Sequence, residues 1–108
     1  MSLHEKLKEL VNKETKSFYC EELDMTFWSS QISTSEMIKL QEKHGNFYDT
    51  MSLNAFIDLI MIKALDKDGN KAFTLEDKPL LLRVPPNVIY SIGGGILGTQ
   101  LTEDQEKN

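Results

Sequence analysis

Apolar residues recur at helical spacing most strongly between Met51 and Leu65, in the run MSLNAFIDLIMIKAL. Leu53, Phe56, Ile57, Ile60 and Ala64 fall on one stripe, and Ala55, Leu59 and Ile62 fill most of the opposite flank. Only Asn54, Asp58 and Lys63 interrupt the apolar surface, which predicts a central helix wrapped on most sides. At about 1.5 Å per residue it falls short of the ~20 residues that cross a bilayer core.

Weaker patterns surround this helix. Residues 4–12 predict a short amphipathic helix with Leu7, Leu10 and Val11 on one side, marginal unless it docks. Phe18-Tyr19-Cys20 and Met25-Thr26-Phe27-Trp28 flank the acidic patch Glu21, Glu22 and Asp24 and read as two strands joined by a tight turn. Such a ribbon is unstable alone, and the helix at 51–65 is the surface expected to carry it. Ser33-Thr34-Ser35-Glu36 is a capping box, Ile32 and Met37 form its hydrophobic staple, and Gly45 after His44 is a left-handed stop.

Further on, Asp66 to Lys71 is a turn-forming cluster. Pro79 limits residues 75–83 to one or two irregular turns, with Leu80, Leu81 and Leu82 expected to cover an open edge of the core. Pro85-Pro86 opens a last helix carrying Val88, Ile89, Ile92 and Ile96, which is expected to fray at Gly93-Gly94-Gly95. The polar stretch Thr99–Asn108 is expected to be loose. The fold class is therefore α+β: a mainly helical small domain with a short N-terminal antiparallel hairpin packed on the helices. All 108 residues form one domain, with its ordered core at about 16–97.

Composition narrows the functional classes. With 12 basic against 17 acidic residues the formal charge is −5, and without a basic cluster a nucleic-acid partner is not expected. The one cysteine, Cys20, cannot form an internal disulfide and sits in an apolar run, so it reads as a small buried hydrophobe. The charged start MSLHEKLKEL is not a secretory signal, and a soluble, cytoplasmic protein without membrane contact is expected.

Candidate chemistry is sparse. Asp66, Asp68 and Asn70 match the first three oxygen ligands of an EF-hand calcium loop, and Asp77 stands at its twelfth position. Lys71 replaces the glycine required at the sixth position, and Asp77 is shorter than the usual glutamate. A turn shaped by Asp and Gly for backbone reasons is the preferred reading, with a calcium-binding helix–loop–helix module as the alternative. Neither His4 nor His44 has a partner at metal-ligand spacing. The glycine triplet lacks the preceding strand and following Lys-Ser/Thr of a phosphate loop; close packing or a bend explains it better. No serine or cysteine sits in a nucleophile context, so no catalytic residue and no cofactor are expected. Trp28, Phe47 and Tyr48, large side chains at element ends, are candidate partner anchors.

The order of elements resembles the tail assembly chaperones of long-tailed bacteriophages. The likeness runs from about Lys16 to Leu97, through FYCEELDMTFW, STSEMIKLQEKHG, LNAFIDLIMIKAL, DKDGNKAFTLED and PPNVIYSIGGGI. The glycine triplet and the irregular Leu80–Pro86 region depart from the family's usual pattern. The resemblance implies a non-enzymatic protein of the bacterial host's cytoplasm, absent from the finished virion. It would bind the tape measure protein and keep it soluble before the tail tube polymerises. In many relatives a frameshifted extension recruits tail tube subunits. A generic protein-binding adaptor has the same composition, and self-association is left open.

Overall fold

The computed structural model describes residues 2–11, 14–46, 50 and 52–107, with burial described as far as residue 98. In chain order the described elements are α1 (Leu3–Leu10), β1 (Thr15–Cys20), β2 (Met25–Ser30), α2 (Thr34–His44) and α3 (Leu53–Lys63). A 3-10 turn (Leu75–Asp77), α4 (Lys78–Leu81) and α5 (Pro86–Lys107) complete the chain. This is the mainly helical α+β domain with one antiparallel hairpin.

The central run forms α3, bounded by Ser52, whose hydroxyl accepts the Ala55 N–H at 3.3 Å, and by Ala64. Its Leu59 and Ile60 lie against Ile92 and Ile96 of α5 in the fully buried centre of the core. Phe56 meets Tyr90 edge-on at 5.4 Å between ring centroids, the arrangement that ring quadrupoles favour. Leu53 and Ile62, at the margins of the two apolar stripes, remain partly exposed.

The hairpin pairs Phe18 with Phe27 and Cys20 with Met25, leaving a four-residue loop in which Asp24 takes φ 50°. Tyr19 donates its hydroxyl proton to Asp24 across that loop. Phe18 and Phe27 share the inner face at a centroid distance of 6.0 Å, and Phe27 stacks on Phe73 at 5.5 Å. Cys20 is wholly buried, and burial pushes its thiol above its ordinary value, the behaviour of a small core residue.

The hairpin rests chiefly on α5, not on the central helix as the sequence suggested. The reason lies in the glycine triplet. A Cβ built at Gly95 would stand 2.2 Å from Phe18 Cδ2, so only glycine lets the β1 ring reach the helix backbone. Glu22 in the hairpin loop ties the same elements from outside, accepting from Ser91 at 2.6 Å and from Asn87 at 3.5 Å. With the hairpin packed on its glycine face, α5 runs through the glycines without the expected fraying; its backbone is helical as far as Lys107.

One further expectation changes. Of the three consecutive leucines only Leu81 enters the core; Leu80 and Leu82 face solvent, because a four-residue helix can turn only one of them inward. The short N-terminal helix, marginal unless it docks, forms with Ser2 as its cap, and none of its residues is buried.

Candidate docking groove

The α2 start is built as its sequence requires. Ser33 Oγ accepts the Glu36 N–H at 3.1 Å, and Glu36 Oε1 accepts the Ser33 N–H at 2.9 Å. Glu36 has a second partner at the far end of α3. Lys63 Nζ lies 3.2 Å and 3.4 Å from the two Glu36 oxygens, 2.8 Å from Ser30 Oγ and 3.3 Å from the Gln31 carbonyl. Only 6% of Lys63 is accessible, yet its ammonium has donors matched to hydroxyl, carbonyl and carboxylate. Burial pushes the Glu36 carboxyl up, but the Ser33 backbone N–H and Lys63 outweigh it and hold it below its ordinary value.

This ion pair forms the floor of an open groove of about 690 Å³. One wall is the apolar side of α1, through Leu7, Leu10 and Val11; the other carries Ile32 and Leu65. The volume is within the range of ordinary ligand clefts, and the lining is apolar walls around a neutralised polar floor. The hydroxyls in it (Thr15, Ser30, Ser33 and Thr34) have no histidine or cysteine beside them among the lining residues. With its charged pair already satisfied, the groove offers shape and apolar contact rather than reactive groups.

Of the proposed anchors, Trp28 is half-buried beside this groove. Its backbone N–H donates to the Leu65 carbonyl at 2.9 Å, and the Leu65 N–H donates back at 2.8 Å. Period-two alternation places Trp28 on the outer hairpin face, together with the groove-lining Ser30. Phe47 and Tyr48 lie outside the described residues. Lys63 and the α1 leucines are the groove residues that reading the sequence for anchors missed. A signal for Lys63 was present: it stands seven residues after Phe56 and three after Ile60, on the buried stripe.

The acidic turn is organised by its backbone. Asp66 Oδ1 accepts N–H groups from Asp68 at 2.8 Å and Asn70 at 3.0 Å, while Gly69 takes φ 84°. Asp77 Oδ2 accepts the Thr74 N–H at 2.8 Å and its hydroxyl at 3.2 Å. Lys71 turns away to donate to the Ile62 carbonyl. Thus Asp66 and Asp77 both have backbone partners, and the preferred backbone reading accounts for the geometry of Asp66, Asp68, Asn70 and Asp77. Among the described residues no group of three or more His, Cys, Asp or Glu side chains is placed to hold a metal ion.

His44 caps a different junction. Its Nε2 lies 2.7 Å from Asp58 Oδ2, which also pairs with Lys43 at 2.9 Å; Asp58 Oδ1 is 3.5 Å from Lys78. Burial pushes the Asp58 carboxyl up, but Lys43, His44 and Lys78 together bring it below its ordinary value. Among the described residues, no helix is long and apolar enough to cross a membrane. No family model matches the chain, and neither curated proteins nor solved structures provide a match.

Proposed function

We propose that this chain is a non-enzymatic tail assembly chaperone that holds helical, apolar segments of a phage tape measure protein in the groove between α1 and the body. The observation that carries the reading is the groove itself: about 690 Å³, open to solvent, walled by Leu7, Leu10, Val11, Ile32 and Leu65. An amphipathic helix lays its i, i+3, i+4, i+7 anchors into a groove of this chemistry. Trp28 flanks the site as a rim contact. The sequence resemblance supplies the choice of partner, the cytoplasmic setting and the absence from the virion. Recruitment of tail tube protein through a frameshifted extension belongs to the same proposal.

The test begins with the DNA that follows this coding region, where a very long, helix-rich reading frame is expected downstream. Its product, expressed alone, should aggregate; expressed with this chain, it should stay soluble and co-purify. Placing glutamate at both Leu7 and Leu10 should abolish the rescue while leaving circular dichroism unchanged, because neither side chain belongs to the core. An isolated gene, or rescue indifferent to the double variant, would sink the proposal. Capture of an unrelated protein through the same groove would replace it with the adaptor reading.

A further inference from the structure

The hairpin covers one of its edges and leaves the other open. Trp28 of β2 aims its backbone N–H and C=O away from β1, at Leu65, and Leu65 in turn bridges Lys71. In an antiparallel pair, two residues opposite each other aim their backbone groups either both toward one another or both away. Ser17 stands opposite Trp28, so its N–H and C=O point out of the ribbon, and by alternation so do those of Thr15 and Tyr19. The sheet has only its two strands, and among the described residues no backbone partner meets these outward groups. All three residues are exposed. Strand edges are commonly blunted by proline, by a bulge or by lysines. β1 has no proline, pairs with β2 in unbroken register and carries Lys16 alone.

Outward N–H and C=O groups in strand alternation fit one kind of occupant, an extended chain whose own main chain completes the ladder. Charge narrows which chain. The loop that follows β1 carries Glu21, Glu22 and Asp24 and no cation. Glu22 is engaged by Ser91 and Asp24 by Tyr19, so exposed Glu21 is the carboxylate offered at this end of the edge. A second copy of this chain, at −5, matches that acidic end poorly, whereas a cationic segment complements it. Tyr19, 56% exposed beside the edge, offers its ring to an apolar side chain on the added strand. We propose that β1 takes up an extended, cationic segment of another polypeptide as a third strand, with an apolar residue beside Tyr19 and a Lys or Arg at Glu21. Of the outward-pointing residues only Thr15 also lines the groove, and the edge binds whatever the groove holds.

Amide NMR of the isotopically labelled full chain, titrated with the peptide acetyl-Lys-Thr-Val-Thr-Val-Thr-amide, tests this. The Ser17 and Tyr19 amides should shift, and their hydrogen exchange should slow by about tenfold or more at saturation. The Phe18 and Cys20 amides, which already face β2, should change little. Ser17→Pro removes an outward N–H and no bond to β2, so it should weaken binding by about tenfold or more while circular dichroism stays unchanged. Glu21→Lys should weaken it several-fold, and a peptide with Glu in place of Lys should prefer Glu21→Lys to the unmodified chain, a reversal that loss of folding cannot imitate. Leu7→Glu, in the groove, should have no effect. No shift at millimolar peptide overturns the inference, as does binding indifferent to both Ser17→Pro and Glu21→Lys. If the chain alone protects the same amides increasingly with its own concentration, a second copy occupies the edge and the inference fails.

Discussion

One methyl group added at Gly94 should stabilise the fold, and one added at Gly95 should not. Both glycines lie within α5, where alanine is favoured over glycine by about 1 kcal/mol. At Gly94 nothing stands within 4 Å of the added Cβ, so Gly94→Ala should gain most of that amount. At Gly95 the Cβ would meet Phe18 Cδ2 at 2.2 Å and Cε2 and Cγ at 2.7 Å. Those are atoms along the ring's near edge, not the tip of a flexible chain, so the whole ring or strand must shift. Overpacking of this kind costs about 1–3 kcal/mol, which offsets or exceeds the helix gain. Because the propensity gain is common to both variants, they should differ by about 1–3 kcal/mol in urea unfolding followed by circular dichroism. In a Phe18→Ala background the obstruction is gone, and Gly95→Ala should then stabilise by about 1 kcal/mol. If Gly95→Ala stabilises the unmodified chain as much as Gly94→Ala does, the hairpin does not rest on the glycine face of α5 and the reasoning fails.

Truncating Lys63 to alanine leaves Glu36 short of its charged partner and should cost about 2–3 kcal/mol; Lys63→Met, which keeps the packing of the stem, should cost measurably less by thermal unfolding. Asp58 sits below its ordinary value when folded, so its contribution is fully present above the unfolded carboxyl range near pH ~4 and disappears as pH falls through the lower folded value. The stability difference between the unmodified chain and Asp58→Asn should therefore shrink as pH falls below ~4; a difference that grows across that range contradicts the ion-pair geometry. Asp66→Ala removes the acceptor of two backbone N–H groups and should cost about 1–2 kcal/mol, with or without calcium. Millimolar calcium should leave the unfolding temperature of the unmodified chain unchanged, whereas a native-state ligand would raise it with concentration.

Local chemistry was legible from the sequence; the choice of tertiary neighbours was not. The Ser33–Glu36 capping box, the turn at Asp66 and the broken helix around Pro79 are written into residues a few positions apart, and each appears with the expected bonds. The hairpin was visible in alternating aromatics, yet its support on α5 depends on Phe18 meeting Gly95, and nothing local to either residue announces that contact. Glycine's helix penalty argued for fraying, and a tertiary gain in packing overrode it. Lys63 illustrates the same limit: its position on the stripe was readable, but its burial requires Glu36, Ser30 and Gln31 from two distant elements. Trp28 was singled out as large and near an element end; its proximity to the groove follows from a backbone bridge to Leu65 that has no sequence signature.

The polar interruptions of α3 gain a meaning from this arrangement. Lys63 at its C-terminal end holds Glu36 at the start of α2, and Asp58 at its middle holds Lys43 and His44 at the end of α2. The two helices are thus pinned antiparallel at both ends by charges that an apolar helix would not carry. Ion pairs of this kind add little net stability over well-packed apolar replacements, because desolvation offsets their attraction. What they do fix is register: apolar side chains tolerate sliding, whereas a lysine with three kinds of partner does not. Holding α2 in register holds Ile32, immediately before its cap, at the wall of the groove. The same residues that look like flaws in the hydrophobic pattern therefore set the shape of the surface proposed to bind.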